Sequence, residues 1–241
     1  MPGCSSCLRM KEFIEKTGVL YESYNIDAEP ERRTKLYDHG INNVPAVCIG
    51  DRCISGVDLA AVADLMGVEY TVIPPLPADV LVERYRLLIQ ALHRYLAQLP
   101  EGGLDYKLPN RKRPMRNVIN QIASVMRAFL SAYYKDDYDT SCYKKPDEIE
   151  TVEDITRRAD ETLAEFEKWW AEDGFDDSLD RIVTAYWGMP TLHEVLERET
   201  WHTAQHLRQL EYVLGELGVE PDGPLGEAEL AGLPLPERIH G

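Results

Sequence analysis

Residues 71–80 read TVIPPLPADV, and the prolines at Pro74, Pro75 and Pro77 divide the chain. Proline has no amide hydrogen and a fixed φ, so this density continues neither a helix nor a central strand and makes a stiff spacer. The two sides carry different periodicities. Residues 1–70 alternate short helical and strand-like runs, whereas 78–217 hold long amphipathic patterns with apolar residues every three or four positions. The pattern predicts a domain over 1–70, a Pro-rich linker over 71–77, and a second domain over 78–241.

In the first domain CLRMKEFIEKTG predicts a helix closed by Gly18, and VLYESYNID a short strand. PERRTKLYDHG predicts a helix with Pro30 in its first turn and Gly40 at its end. VPAVCIGDRCISG reads as a hairpin turning at Gly50-Asp51, and DLAAVADLMG as a closing helix. The second domain predicts four helices over about 78–99, 115–134, 151–172 and 191–217, arranged as a four-helix bundle. In the third, Ile155, Ala159, Leu163, Phe166 and Trp170 form one apolar stripe, and Thr151 with Asp154 forms a capping box. The Pro/Gly-punctuated tail after 220 is expected to pack along the bundle as irregular chain.

Charge narrows the function classes. The chain carries 26 Lys and Arg against 42 Asp and Glu, a net charge of −16, which repels phosphate backbones and argues against a nucleic-acid partner. No apolar run reaches the roughly 18 residues that a membrane span needs, so no membrane association is expected. Five cysteines without a secretory signal point to a reducing cytoplasm and to thiol chemistry rather than structural disulfides.

Cys4 and Cys7 stand in C-x-x-C spacing at the start of the first helix. There the unpaired backbone N–H groups and the positive end of the helix dipole stabilise a thiolate. Cys4 becomes the attacking sulfur and Cys7, one turn on, the resolving one. The same spacing suits zinc, and Cys48 with Cys53 could complete a four-thiolate site. Against that, Cys48 and Cys53 fall opposite each other across the expected hairpin.

PGCSSC, then Val44-Pro45 before the hairpin, then SGVD at 55–58 opening a helix, resemble the glutaredoxin family over about residues 1–68. The resemblance implies an α/β thioredoxin-like domain whose Val-Pro peptide is cis and faces the active-site thiol. It implies catalytic Cys4 and Cys7, and a thiol-ligand site from Val44, Pro45, Gly56, Val57 and Asp58 that takes glutathione or a related small thiol. Two features depart from the family: Ser5 and Ser6 stand where an aromatic is usual, and the first strand of the sheet has no counterpart ahead of Cys4.

In the last helix His202 and His206 lie four apart, on one face. That spacing suits two ligands of one divalent metal and equally suits core histidines. The helix pattern, HEVLERETWHTAQHLRQLEYVL and the closing LPLPERI resemble the DinB/YfiT superfamily over about residues 78–239. The resemblance implies an all-α DinB-like bundle with a metal, zinc or nickel, held by three histidines, and S-transferase or thiol-dependent isomerase chemistry. In VINQIA, Gln121 stands where the family has its third histidine, so the implied ligand set is Gln121, His202 and His206. It also implies a homodimer.

Two smaller features complete the reading. NRKRPMR at 110–116 is a basic cluster that suits an anionic ligand or a solvated loop, and Cys142 falls in a polar loop. Both halves together predict a cytoplasmic protein handling low-molecular-weight thiols, with exchange in the first domain and transfer or isomerisation in the second. The alternative is a non-catalytic redox-sensing or ligand-binding stress-response module with a degenerate metal site.

Overall fold

The computed structural model describes residues 3–108, 113–143, 151–174 and 177–240. The chain divides into two compact units. One comprises Met1–Pro74 with Tyr186–Gly188 and Pro236–Gly241, the other Pro75–Ala185 with Met189–Leu235.

The first unit opens with α1 (Ser5–Thr17), which starts directly after Cys4 and ends at Gly18, whose φ of 73° and N–H bond to the Glu15 carbonyl make a left-handed cap. α2 (Pro30–Asp38) follows with proline in its first turn, and none of its residues is buried. β1 (Ala46–Ile49) and β2 (Arg52–Ser55) pair antiparallel in the register Ala46↔Ser55, Val47↔Ile54, Cys48↔Cys53, Ile49↔Arg52. α3 (Leu59–Met66) is capped by Asp58, whose carboxylate accepts the Ala60 and Ala61 N–H groups. Met10, Ile14 and Val62 form the core, with Phe13, Val47, Ile54, Leu59 and Met66 packed around them.

Among the described residues the sheet has these two strands alone. The strand expected over 19–27 does not form: its residues have no ladder partner, and Leu20 is 97% exposed. β-branched and aromatic composition favours a strand only where a neighbouring strand takes up its hydrogen bonds.

The second unit is helical. Its elements are α4 (Ala78–Gln98), α5 (Met115–Ser124), α6 (Met126–Lys135), α7 (Val152–Glu172), α8 (Leu192–Glu216) and the short α9 (Glu227–Leu230). α7 and α8 each pack on α4, α5 and α6. The single helix expected over 115–134 is two, parting at Val125. The Ser124 hydroxyl donates to the Asn120 carbonyl at 2.6 Å, back-bonding that bends helices.

Thr151 and Asp154 make the expected capping box, and Thr191 with Glu194 makes a second at the start of α8. The buried stripe of α7 is Ile155, Ala159, Thr162, Phe166 and Trp169. It leaves Leu163 and Trp170 half-buried, one position off the predicted face. The observed spacing of four, three, four and three is a straight seam, whereas the predicted one drifts around the helix. Tyr85 meets Phe166 and Phe129 meets Trp169 edge to face, at ring-centroid distances of 4.9 and 4.7 Å, and a tilted Phe166–Trp169 contact at 5.2 Å joins the two pairs.

The tail divides between the units. Leu225 N–H and the Tyr95 hydroxyl both donate to Glu211, at 2.9 and 2.6 Å, which fastens the segment after α8 to the helical unit. Pro236–Gly241 instead groups with the first unit rather than following the expected path along the bundle. The Glu12 carboxylate on α1 accepts the backbone N–H of Glu237 at 2.7 Å and of Arg238 at 2.9 Å, and Nε of Arg238 at 3.1 Å.

Candidate functional site

Cys4 is the N-cap residue of α1. Its backbone is extended (φ −86°, ψ 108°), and its Sγ accepts the N–H of Cys7 at 3.1 Å. That bond uses one of the N–H groups a helix start leaves without an intrahelical partner, and it points at a sulfur. Cys4 and Cys7 are joined by a disulfide. Cys4 is half-buried whereas Cys7 is 6% exposed, an asymmetry that presents the first sulfur to an incoming group and shields the second.

The residues expected to receive the thiol ligand come from the two ends of the hairpin and the start of α3. Val44–Pro45 is cis. Gly56 N–H donates to the Pro45 carbonyl at 2.8 Å, closing the base of the hairpin. A Cβ at Gly56 would stand 3.1 Å from the Met10 side chain and 3.1 Å from Pro45, so a larger residue would have to push one of them back, and glycine permits the close approach. Met10 lies six residues along α1 from Cys4, about 9 Å at the helical rise. Val44 and Val57 are half-buried and Asp58 is exposed. Asp58 Oδ1 is engaged by Ala60 N–H at 2.9 Å and Ala61 N–H at 3.1 Å, so this carboxylate is a helix cap.

Cys48 and Cys53 are joined by a second disulfide across the hairpin. Each pair closes on itself, and no cluster of three or more metal-holding side chains that would include these sulfurs forms among the described residues.

In the second unit His202 and His206 lie on α8 with ring centroids 4.6 Å apart, 8% and 2% exposed. His206 Nδ1 meets Gln209 Oε1 at 3.0 Å, and His202 Nδ1 lies 3.6 Å from Glu199 Oε2. Glu199 is fully buried. Its carboxylate accepts the Tyr138 hydroxyl at 2.6 Å and pairs with Arg198, whose guanidinium also donates to Tyr138 Oη at 2.8 Å. Burial alone would push the Glu199 carboxyl up. The charge of Arg198, together with His202 and Tyr138, outweighs it and holds the group below the usual carboxylate range.

Sequence reasoning passed over Glu199, Arg198 and Tyr138. The signal for Glu199 was its position three residues before His202, on the same helical face.

Gln121 is half-buried on α5, and no hydrogen bond among the described residues joins its side chain to either histidine. His93 faces Asp160 at 3.2 Å, and His193 Nε2 meets the Leu76 carbonyl at 2.7 Å. No group of three His, Cys, Asp or Glu side chains able to hold a metal forms among the described residues. Glu199 Oε1 accepts from Tyr138 and Arg198, whereas Oε2 is the oxygen that faces His202 Nδ1.

The basic cluster falls partly at 109–112, and the Cys142 side chain likewise lies outside the described residues. No helix of the described residues is long and apolar enough to cross a membrane.

A glutaredoxin family model matches residues 1–54. The matched span contains Cys4, Cys7, Val44-Pro45 and nearly all of the hairpin, and it stops just before Gly56, Val57 and Asp58. No curated protein matches the chain. The N-terminal part of the chain is thus glutaredoxin-like, which suggests thiol–disulfide redox function, and the remainder is mostly helical.

Proposed function

We propose that the first unit is a thiol–disulfide exchange module for low-molecular-weight thiols and their mixed disulfides, with Cys4 attacking and Cys7 resolving. The carrying observation is the Cys4–Cys7 disulfide at the α1 N-terminus, with Cys4 the more accessible sulfur and an N–H directed at it. In the reduced protein the Cys4 thiolate attacks a disulfide RS–SR′. The S–S bond breaks, R′S⁻ leaves, and RS remains on Cys4. The Cys7 thiolate then attacks the Cys4 sulfur, RS⁻ leaves, and the intramolecular disulfide closes. The substrate gains two electrons, and two small thiols restore the dithiol by the reverse sequence.

The ledge of Val44, Pro45, Gly56 and Val57 would receive the small thiol, glutathione or a relative. Its close approach to α1 through Met10 supports that role. Asp58 would act mainly by fixing the start of α3, with its capping oxygen committed to two amides.

For the second unit the reading is a helical module that holds a thiol or thiol adduct beside His202 and His206. The buried Glu199–Arg198–Tyr138 network supports it, because it sets a carboxylate oxygen 3.6 Å from the His202 imidazole. Its sequence resemblance to the DinB/YfiT superfamily points to S-transferase or thiol-dependent isomerase chemistry.

Turnover of a mixed disulfide between glutathione and 2-mercaptoethanol tests the exchange reading. Wild type turns it over, Cys4→Ser falls to the uncatalysed rate, and Cys7→Ser keeps a monothiol reaction. No turnover by the wild type would leave the redox-sensing alternative in its place.

A further inference from the structure

The hairpin carries sulfur chemistry of its own. We propose that Cys48 and Cys53 form a second thiol–disulfide couple, which exchanges directly with low-molecular-weight thiols and independently of Cys4 and Cys7.

Three observations carry this. The first is register. Cys48 and Cys53 are direct cross-strand partners, one pair in from the Ile49↔Arg52 pair that flanks the turn, and their Cα atoms are 4.1 Å apart. The backbone ladder sets that closeness. When the S–S bond opens, the ladder keeps the two thiols facing each other, so the couple can close again without a conformational search.

The second is access. Cys48 is exposed and Cys53 half-buried, unlike the core cysteine Cys7. A nucleophile must approach along the S–S axis, and exposure makes the Cys48 sulfur the one attacked and Cys53 the leaving thiolate.

The third is the small ring. The two cysteines are 5 residues apart, so the crosslink removes little freedom from the unfolded chain compared with one that closes a long loop. Its removal leaves the packed core of Met10, Ile14 and Val62 in place, because the hairpin residues packed against that core are Val47 and Ile54. A solvent-facing bond that contributes little to the fold and reforms readily is suited to exchange.

The steps balance with a small thiol as reductant. A thiolate RS⁻ attacks Cys48 Sγ, the S–S bond breaks, and Cys53 leaves as thiolate, giving a mixed disulfide on Cys48. A second RS⁻ attacks the sulfur of the bound thiol, releasing RSSR and the Cys48 thiolate. Two thiols lose two electrons, the hairpin disulfide gains them, and the two thiol protons end on Cys48 and Cys53. Cys48 lies three residues beyond Pro45, about 10 Å along the strand, so the couple sits at the far end of the hairpin from the ledge proposed for the Cys4 site.

The test equilibrates the full chain in glutathione buffers of graded thiol-to-disulfide ratio, quenches with acid, alkylates, and maps peptides by mass. The 48–53 peptide is expected to pass from closed to doubly alkylated as a two-electron titration while circular dichroism is unchanged. Cys4→Ser/Cys7→Ser should shift the midpoint by less than about twofold in the ratio. The proposal is overturned if Cys48 and Cys53 are both alkylated even in the most oxidising buffer. It also falls if the pair opens only on unfolding, or opens only when Cys4 and Cys7 are present. Because the wild type is read peptide by peptide, a double variant that fails to fold does not decide the matter. Inertness at Cys4 with a titrating hairpin would remove the proposed function and leave this inference standing.

Discussion

In the first unit the sulfur chemistry is arranged by backbone: a helix start aims an N–H at Cys4, a ladder faces Cys48 with Cys53, and a glycine lets Pro45 reach α1. In the second unit the polar chemistry is arranged by side chains sealed inside apolar helices, where Glu199, Arg198, Tyr138 and His202 hold one another. The first arrangement needs little core; Met10, Ile14 and Val62 suffice, with a sheet of two strands among the described residues. Isolated two-stranded hairpins are marginal in water, so packing on α1 and α3 carries this one. The second arrangement depends on a large core, because buried charge is tolerated only when every partner stays in place. Substitutions should therefore separate function from stability in the first unit and merge them in the second.

The largest expected effect tests the first half of that contrast. Cys4→Ser should lower exchange by about a thousandfold or more, down to the uncatalysed rate, because the remaining hydroxyl is not a competent nucleophile toward sulfur. Its melting curve should stay close to wild type, since a serine Oγ can accept the Cys7 N–H and remain an N-cap. A large loss of stability in this variant would break the comparison.

Glu199→Ala tests the other half. It leaves the Arg198 guanidinium buried without its carboxylate, and the expected loss is about 3–5 kcal/mol by denaturant melting of the second unit. Exchange at Cys4 should be unaltered. A change below about 1 kcal/mol would mean the network is not what holds the interior, since intact buried networks respond far more strongly.

Asp58→Ala is the intermediate case. Loss of the cap that serves Ala60 and Ala61 should cost about 1 kcal/mol of first-unit stability. If Asp58 acts mainly by fixing α3, the Michaelis constant for the mixed disulfide should rise only modestly, and Asp58→Asn, which also caps, should restore both. A strong rise in Asp58→Asn would instead assign the carboxylate charge to the ligand.

How legible this was in the sequence follows the same division. Helix caps are local, so Gly18 and the Thr151–Asp154 box could be read from neighbours a few residues apart, and the hairpin turn at Gly50-Asp51 likewise. Asp58, by contrast, was read as a ligand residue, and its capping of α3 came only with the structure. The strand expected over 19–27 was misread because a strand is defined by its partner, and composition says nothing of whether one is there. The α7 face was misplaced by one position at Leu163 and Trp170, since Trp169-Trp170 offered two aromatics and only packing chose between them. The spacing of His202 and His206 was legible. Their actual neighbours were not, because Tyr138 reaches Glu199 across 61 residues and no short motif encodes that. The path of Pro236–Gly241 back to the first unit was hidden for the same reason.

That last contact gives the smallest and most specific expected effect. Burial alone would raise the Glu12 carboxyl. The Arg238 and Glu237 amides and the Arg238 guanidinium outweigh it, and the group lies below its ordinary value of 4.5. A carboxyl depressed in the folded state stabilises fully above the unfolded value, and the contribution drains as pH falls through the folded one. Protection of the Glu237 and Arg238 amides against hydrogen exchange should therefore be constant at neutral pH and fall off below about 4.5, once intrinsic exchange is divided out. Glu12→Gln keeps an acceptor without the charge, so it should weaken the clamp by about 1 kcal/mol at pH 7 and abolish the acid dependence of those two amides. Persistence of that dependence in Glu12→Gln would mean that the tail is held by contacts other than the buried carboxylate.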